Sequence, residues 1–489
     1  MRTAATAASA AVGGVVLAAC GRSTANAAGG AAGAATGVLP VPQSGVTQLT
    51  AMMNTQGSVA WNKTTQTLFQ EFVDQHFNQN SQYKGLWLTC YPAGWGNAST
   101  QITDDIAGKG AADVWLFCCA DIPTIEASGL AQPLDDLLRR DNIPVSLWSP
   151  GHIAADSYSG AVYGLPSYDG TLAIIYRQDV LDNLGLQYPD PTWSYQDAQN
   201  LWQSCTGKNA KGGKQAGVAL YWSGVYEMID WWLRGWGARE MSDNQTTATM
   251  ATPQGAECFN YATQMFLDGV AINRGDPSQL TSGQAVFGQY HSALVVNAAQ
   301  DLGTAFKWDF LPNPVWPAGR TTFVTIDGYM LNAESKNMDA AWEAMKWVNL
   351  GAPNGDGTYD YSWPKFQVQI NLITPALLSL WDYWQTTVQV VAPPLKGKAL
   401  NWWAEPSQKG YAYPTIFYKY QAVNATNIVD NWGAQIFAGK VSPTAGLQQM
   451  QQQINALEAT SAAEIQAGAA VAKNFPVNGN AMAAVSTGV

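Results

Sequence analysis

The sequence predicts an α/β protein with at least two lobes. The chain has 489 residues, which exceeds what one hydrophobic core usually supports. Residues 48–138 alternate short apolar runs with helical patterns, as βαβ units do. In the stretch 161–179, two apolar runs rich in β-formers flank a polar break. This arrangement is typical of a strand crossing between lobes, and also of an ordinary hairpin loop.

The first part of the chain is predicted to form a parallel sheet. Its strands are expected at residues 48–53, 86–90 and 114–118. The helix between the first two strands has an apolar stripe made of Phe69, Phe72, Val73 and Phe77. Ligand contacts in such sheets gather at the carboxyl ends of the strands. The candidates at these three ends are Asn54, Trp95 and Asp121.

The predicted crossing is interrupted at Pro166. Proline has no N–H to donate, and it restricts the residue before it, so the first strand is expected to end there. Tyr168 and Asp169 would then be exposed in a cleft between the lobes, where ligands commonly bind. A second crossing is predicted near Asp327, where the run 322–326 meets another strand pattern.

The remaining elements follow from local patterns. We expect a helix carrying Tyr195 and capped by Thr192, a buried strand over 217–222, a strand ending near Tyr290, a helix over 338–349, an irregular segment at 401–405 beside Pro406, and two final helices separated by Gly439 and Pro443. Trp231, Trp232 and Trp236 share one helical segment and cannot all face a cleft, so some of them belong to the core.

The composition argues against nucleic acid as a partner. The net charge is −11, the pI is near 4.7, and charged residues make up only 12% of the chain. Aromatic residues are abundant, with 21 Trp and 20 Tyr, which is more than core filling usually takes. Some should line a binding surface, and the scarcity of charge favours a neutral ligand rich in hydroxyl groups.

The N-terminal residues resemble a bacterial lipoprotein signal peptide. A stretch of small and apolar residues leads to Leu17-Ala18-Ala19-Cys20-Gly21, which resembles the lipobox whose cysteine is lipidated. Residues 1–20 are interpreted as this signal, with a disordered Ala-rich leader as the alternative, and residues 21–44 as a flexible tether. Beyond them no apolar run approaches the ~20 residues of a membrane-spanning helix. We therefore expect an extracytoplasmic protein anchored to the outer face of the cell membrane through Cys20.

The other cysteines are interpreted as core residues with one or two disulfides among them. They are Cys90, Cys118, Cys119, Cys205 and Cys258. Cys90 ends a predicted strand that could pair beside Cys118 and Cys119. No C-x-x-C spacing occurs and the three histidines are scattered, so neither a metal nor a cofactor is expected.

A series of motifs, in order and spacing, resembles the extracellular solute-binding proteins of bacterial ABC sugar importers. The motifs are Gly108–Val114, Ser128–Asp135, Val162–Pro166, Ile175–Asp179, Pro191–Trp193, Ser282–Phe287, Ser335–Asn337 and Ala341–Trp342. The resemblance spans roughly residues 45–460. Two departures are Ala111-Ala112-Asp113, which lacks the usual proline, and Arg177, which replaces the usual asparagine.

The resemblance implies a two-lobed periplasmic-binding-protein-like fold of type II, with the ligand cleft between lobes that close by hinge motion. We predict an N-terminal lobe of residues 45–168 and 285–324, a C-terminal lobe of residues 169–284 and 325–465, and a disordered tail over 466–489. The resemblance also implies a monomeric, non-catalytic lipoprotein. It would capture a sugar, expected to be an oligosaccharide, and deliver it to the transmembrane subunits of an ABC permease.

Sugar recognition combines flat aromatic faces with amides or carboxylates that bind paired hydroxyl groups. The resemblance places an aromatic platform near Trp402. The candidate ligand-binding residues are Asn54, Trp95, Asp121, Tyr168, Asp169, Trp222, Trp236, Glu240, Tyr290, Asp327 and Trp402.

Other interpretations stay open from the residues alone. A secreted glycoside hydrolase could use Asp169 with Glu227, Glu240 or Asp327 as the second carboxylate, provided that the two carboxyl groups lie ~5 to 10 Å apart. A structural surface lipoprotein would have no hinge and no defined pocket. The ligand of a binding protein could also be a polyol or a glycerol phosphodiester.

Overall fold

The computed structural model describes residues 45–54, 63–93, 112–118, 130–158, 160–221, 229–243, 245–273, 277–414 and 422–466. The strands in these residues are β1 Thr47–Asn54, β2 Leu86–Ala93, β3 Val114–Cys118, β4 Ser157–Tyr158, β5 Ala161–Val162, β6 Gly164–Arg177, β7 Gly207–Lys208, β8 Lys214–Leu220, β9 Ala271–Asn273, β10 Ala285–His291, β11 Trp308–Leu311, β12 Thr322–Leu331 and β13 Ala412–Pro414.

The helices of the same residues are α1 Lys63–Val73, α2 Asp135–Arg140, α3 Pro150–Ala155, α4 Gln178–Leu184, α5 Tyr195–Ser204, α6 Asp230–Gly235, α7 Pro253–Leu267, α8 Ser278–Thr281, α9 Val295–Leu302, α10 Met338–Leu350, α11 Ser362–Asn371, α12 Trp381–Val391, α13 Asn401–Lys409, α14 Ala422–Phe437 and α15 Pro443–Gln466. None of these helices is both long enough and apolar enough to cross a membrane. The predicted signal peptide and tether, residues 1–44, lie outside the described residues.

The strands of both lobes join in one mixed sheet. Its order is β2-β1-β3-β12-β6-β10-β8-β7, with β13 beside β12, β11 beside β6 and β9 beside β8. In the first lobe β1 runs parallel to β2 and β3, and in the second lobe β8 runs parallel to β9 and β10. At the centre, β6 and β12 run antiparallel to each other. The predicted α/β class and the parallel order of the first three strands are confirmed.

β6 is one continuous strand of 14 residues that crosses between the lobes. Its residues 164–171 pair with β12, and residues 172–177 pair with β10 and β11. The crossing is confirmed, but the predicted end of the strand at Pro166 is wrong. Tyr168 pairs with Asp327 whereas Pro166 pairs with Gly328, which leaves Ser167 as an extra residue on β6. Such a bulge tolerates a proline because the ladder is already interrupted there.

The buried apolar side chains form three large clusters. The first core contains Trp115, Trp347 and Trp363, the second core contains Trp202, Trp232 and Trp316, and the third core contains Trp308, Trp384 and Trp403. Helices α10 and α11 pack into the first core, α5, α7, α14 and α15 into the second, and α9, α12 and α13 into the third. The sheet of the first lobe thus has its own core, and the sheet of the second lobe is covered on both faces.

The packing differs from the predicted division of the chain into lobes. Residues 285–323 contribute to the second and third cores, whereas residues 329–352 and most of the buried apolar residues of 363–380 contribute to the first core. The crossing strands explain the reversal, since β6 carries the chain into the second lobe and β12 brings it back. The described apolar core residues between the two crossings therefore pack in the second lobe. Of the predicted tail, only Gln466 is described, and it ends α15.

Two local predictions are corrected at helix ends. Ser194, not Thr192, caps α5: its hydroxyl accepts from the Asp197 N–H, and the Asp197 carboxylate accepts from the Ser194 N–H. The segment predicted to be irregular at 401–405 is helix α13, which contains Pro406. The predicted helix over 338–349 and the two C-terminal helices are confirmed as α10, α14 and α15.

The disulfide prediction fails for the cysteines that the structure describes. Cys90, Cys205 and Cys258 are free and buried. Burial raises the pKa of the Cys90 thiol to about 12, so this thiol is unreactive at neutral pH. The side chains of Cys118 and Cys119 lie outside the described part of the chain.

Candidate ligand-binding site between the lobes

Carboxyl ends of parallel strands from both lobes face the crossing. β3 ends at Cys118, which pairs with Asp327 of β12, and β1 and β2 run parallel to β3. From the other lobe, β10 ends at His291, which pairs with Leu172 of β6, and β8 runs parallel to β10. Open α/β sheets bind ligands at these edges. The candidate site therefore lies between the two edges, with β6 and β12 beneath it.

One of the predicted strand-end residues, Asn54, belongs to the described part of the chain. Asn54 is the last residue of β1. Trp95 follows the end of β2 at Ala93, and it lies outside the described residues together with Asp121 and Trp222. The structure thus confirms the strands that lead to these residues and describes only the backbone of Asn54.

Tyr168 is buried in a hydrogen-bond network on the crossing strand. Its hydroxyl donates to Gln367 Oε1 at 2.6 Å and accepts from Asn371 Nδ2 at 3.0 Å. The side chain is 4% exposed, and burial raises its pKa well above the usual value of a tyrosine. The network ties β6 to α11, which also explains why Tyr168 is not the exposed residue that the sequence predicted.

Asp169 is held between α3 and α13. Its Oδ2 accepts from the Ser407 hydroxyl at 2.8 Å, and its Oδ1 lies 3.4 Å from His152 Nε2, which is longer than an ordinary hydrogen bond. The N–H of Ser149 donates to His152 Nδ1 at 3.3 Å, so in the neutral ring the proton is on Nε2 and faces the carboxylate. The backbone N–H of Asp169 donates to Thr374 O. Asp169 is 2% exposed and joins three segments at the hinge.

A second buried carboxyl group lies close to the crossing. Asp156 follows α3 and is fully buried, and neither of its carboxylate oxygens has a hydrogen-bond partner in the described structure. Burial raises the pKa of Asp156 well above the usual value, and the field of Asp327 raises it further. Gly164 of β6 is adjacent, because a Cβ placed there would lie 3.3 Å from Asp156 Cγ.

A polar cluster occupies the end of β10 at the crossing. The Nδ1 of His291 accepts from the Ala293 N–H at 3.0 Å, and its Nε2 lies 2.8 Å from Thr325 Oγ1 on β12. Gly170 permits this arrangement, since a Cβ at that position would overlap both His291 and Thr325. His291 and Thr325 are half-buried, so they form part of the floor between the two strand edges.

The other predicted site residues lie at varying depth in the second lobe and on the crossing. Tyr290 and Glu240 are fully buried, and the N–H of Glu240 donates to Asp230 Oδ1 at 2.7 Å. Trp236 is half-buried and packs on Tyr195, with ring centroids 5.3 Å apart. Trp402 is half-buried at the start of α13 and packs against the third core. Asp327 is 4% exposed and lies on β12 opposite Tyr168.

Sequence reasoning missed the residues that surround Tyr168 and Asp169. Gln367 and Ser407 are 199 and 238 positions away from their partners in the chain. No local pattern reports such contacts. One signal was available for His152, because Ser149 followed by Pro150 is a typical helix start and places His152 in the first turn of α3.

The geometry does not support the glycoside hydrolase interpretation. A catalytic carboxyl group must reach the glycosidic bond of the substrate. Asp169 is instead buried and held by Ser407, with His152 on its other side. Among the described residues, no group of three or more metal-ligating side chains is present either.

Comparisons with known proteins agree with this architecture. The model of the family described as bacterial extracellular solute-binding protein matches residues 60–350. A binding protein of Brucella abortus strain 2308 is 21% identical over 275 residues, which cover 54% of this chain and 64% of that protein. The chain therefore matches slightly less than two-thirds of this curated relative's length.

Two solved structures share the fold over almost their entire length. The sugar-binding protein MalE from Xanthomonas citri has a TM-score of 0.66 at 16% identity and covers 86% of this chain and 99% of its own. The cyclic alpha-maltosyl-1,6-maltose binding protein from Arthrobacter globiformis has a TM-score of 0.65 at 16% identity, and the match covers 85% of this chain and 100% of that protein. Because the family model covers more than half of the sequence and the two-lobed fold agrees with it, this chain belongs to the bacterial extracellular solute-binding protein family.

Proposed function

We propose that this protein captures a neutral oligosaccharide between its lobes and delivers it to the transmembrane subunits of an ABC importer. The observation that carries the proposal is the pair of opposed strand edges joined by β6 and β12. Two lobes connected in this way can close on a ligand by rotation at the crossing strands. Binding must favour the closed form over the open one for the permease to distinguish the two.

The ligand class follows from chemistry and from similarity. The chain combines 21 Trp and 20 Tyr with only 12% charged residues, which suits the apolar faces and hydroxyl groups of neutral sugars. The similar proteins from Xanthomonas citri and Arthrobacter globiformis are named for sugar binding. We therefore favour an oligosaccharide over a polyol or a glycerol phosphodiester.

The contacts to the sugar are assigned to residues at the strand ends and on the crossing floor. Asn54, Trp95, Asp121 and Trp222 end or follow strands whose carboxyl ends face the junction. Trp236 and Trp402 offer half-buried aromatic faces. The buried members of the set shape the floor from below rather than exposing their whole side chains: Tyr168, Asp169, Glu240, Tyr290 and Asp327.

The lipid anchor is a separate part of the proposal. Residues Leu17 to Gly21 match a lipobox, so Cys20 would carry the lipid and hold a monomeric protein at the outer face of the membrane. Metabolic labelling with a radioactive fatty acid tests this: the full chain should incorporate label and its Cys20→Ser variant should not. Equal labelling of both would contradict the anchor without affecting the binding proposal.

Ligand binding is tested by calorimetry on the chain without residues 1–44. Linear and cyclic gluco-oligosaccharides, polyols and glycerol phosphodiesters are titrated separately, and the sugars are analysed for cleavage afterwards. We expect saturable binding of an oligosaccharide that is recovered intact. Binding of only a polyol or a phosphodiester would refute the ligand class, and cleavage would refute the transport function.

The site assignment has its own test. Trp222→Ala and Trp95→Ala should each weaken sugar binding at least tenfold, which corresponds to about 1.4 kcal/mol. Tyr188→Ala is the matched control, because Tyr188 is an exposed aromatic residue that contacts Asp182 and Lys307 and packs on Tyr176, in the part of β6 that pairs with β10 and β11. Wild-type affinity in both folded tryptophan variants would remove these residues from the site.

A further inference from the structure

A small cavity lies beside the crossing strand, next to α10 and α11. Its interior has room for about one water-sized molecule. Pro166, Ser167 and Tyr168 of β6 line it, together with Asn349 of α10 and Gln367 of α11. The cavity therefore touches both the first lobe and the strand that leaves it.

The side-chain amide of Gln367 presents a donor without a partner. Its Oε1 accepts from the Tyr168 hydroxyl at 2.6 Å and from Asn371 Nδ2 at 2.8 Å. The oxygen end of the amide therefore faces Tyr168 and Asn371. The Nε2 is buried and has no hydrogen-bond partner in the described structure, although the residue is only 2% exposed.

The side-chain amide of Asn349 presents the complementary acceptor. Its Nδ2 donates to the Met345 carbonyl at 2.9 Å, which again fixes the orientation of the amide. Its Oδ1 is buried without a hydrogen-bond partner among the described residues, and Asn349 is also 2% exposed. The wall of this cavity thus includes one residue with a buried unpaired donor and one with a buried unpaired acceptor, as far as the described part of the chain shows.

We propose that this cavity is a binding site for an ordered water molecule, which accepts from Gln367 Nε2 and donates to Asn349 Oδ1. Buried polar groups in proteins are almost always paired, and internal waters serve this purpose where the protein does not. A metal cation is disfavoured by the N–H of Gln367, and an anion is disfavoured by the carbonyl oxygen of Asn349. Water both donates and accepts, so one molecule can serve both groups.

The position of the water gives it a role at the hinge. α11 packs on the first core through Trp363 and on the third core through Val368, so this helix bridges both lobes. The helix begins after Tyr361 and ends before Leu372, and both have left-handed backbone conformations with φ of 53° and 56°. The water would join α11 to α10 of the first lobe through bonds that adapt when the helix shifts.

The direct test is a crystal structure of the wild-type chain without residues 1–44, at about 1.5 Å resolution and with no glycerol or polyethylene glycol. We expect one water within hydrogen-bond distance of both Gln367 Nε2 and Asn349 Oδ1. An empty cavity, or a Gln367 side chain turned so that Nε2 bonds a protein acceptor, would overturn the proposal.

A second test works in solution and needs no crystals. Oxygen-17 relaxation dispersion counts long-lived internal waters, and Asn349→Leu replaces the acceptor with an apolar side chain of similar shape. We expect this variant to hold one long-lived water fewer than the wild type. The matched control is Asn354→Leu, which makes the same change at an exposed position and should leave the count unchanged. Equal counts in Asn349→Leu and the wild type would contradict the site.

Discussion

The buried carboxyl group of Asp156 should make the stability of this protein depend on pH. Asp156 is fully buried, its carboxylate has no hydrogen-bond partner among the residues that the structure describes, and the negative charge of Asp327 lies nearby. Its folded pKa is therefore raised well above the usual 3.8. A group with a raised folded pKa stabilises the fold fully below its unfolded pKa, and this contribution is lost as pH rises through the folded pKa.

The perturbation is Asp156→Asn, a neutral side chain that resembles the protonated acid. Between the unfolded pKa and the raised folded pKa, the wild type should lose about 1.4 kcal/mol per pH unit relative to the variant. Unfolding entropy is about 2.1 cal/mol/K per residue, so for a chain of 489 residues each kcal/mol shifts the Tm by about 1 °C. For each unit by which the pH rises, the Tm of the variant should therefore increase by about 1.4 °C relative to the Tm of the wild type.

The assay is thermal unfolding followed by Trp fluorescence at half-unit steps from pH 4 to pH 7. Asp136→Asn is the control, because the Asp136 side chain is 91% exposed and its removal should produce no such slope. If the new amide of the Asp156→Asn variant introduces an N–H that lacks a partner, this N–H changes the Tm of the variant by the same amount at every pH. It therefore does not make the Tm difference depend on pH. A Tm difference that stays flat across this range would refute the raised pKa of Asp156.

Three further substitutions test other features of the structure. Gly170→Ala should force His291 and Thr325 apart and destabilise the fold by about 1–3 kcal/mol, with a weaker affinity for sugar in the same calorimetric titration. Unchanged stability and affinity would show that the crossing has room for a methyl group. Tyr168→Phe should cost about 1–3 kcal/mol in chemical unfolding, because it removes both hydrogen bonds to α11; a neutral result would contradict that network. Ser194→Ala removes the cap of α5 and should lower the stability by about 1 kcal/mol, whereas Thr192→Ala should have a smaller effect; the reverse order of the two Tm values would contradict the assignment of the cap.

Much of the fold could be predicted from local patterns. The apolar runs at 48–53, 86–90 and 114–118 predicted β1, β2 and β3, because alternation and β-propensity are properties of a few neighbouring residues. The motifs in their order also predicted the family and the two lobes. The same local reasoning failed at Pro166, since a bulge that tolerates proline depends on the register of β12, more than 150 positions away.

The candidate site also has features that the sequence predicted and features that it did not. Asn54 was placed at the end of a strand by sequence alone, and β1 does end there. Tyr168 and Asp169 were correctly located on the crossing but were expected to be exposed. Their burial depends on Gln367 and Ser407, whose contacts no pattern near residue 168 could report.

The sequence by itself determined the α/β class, the strand that crosses between the lobes and the helices that carry their own capping or apolar signals. Only the tertiary structure decided which lobe each later segment joins, whether Tyr168 and Asp169 face solvent, and which buried groups remain without partners. The physical reason is the distance along the chain over which each effect acts. Helix and strand preferences act between neighbouring residues, whereas burial and hydrogen-bond partners are set by segments that meet only after the chain has passed between the lobes more than once.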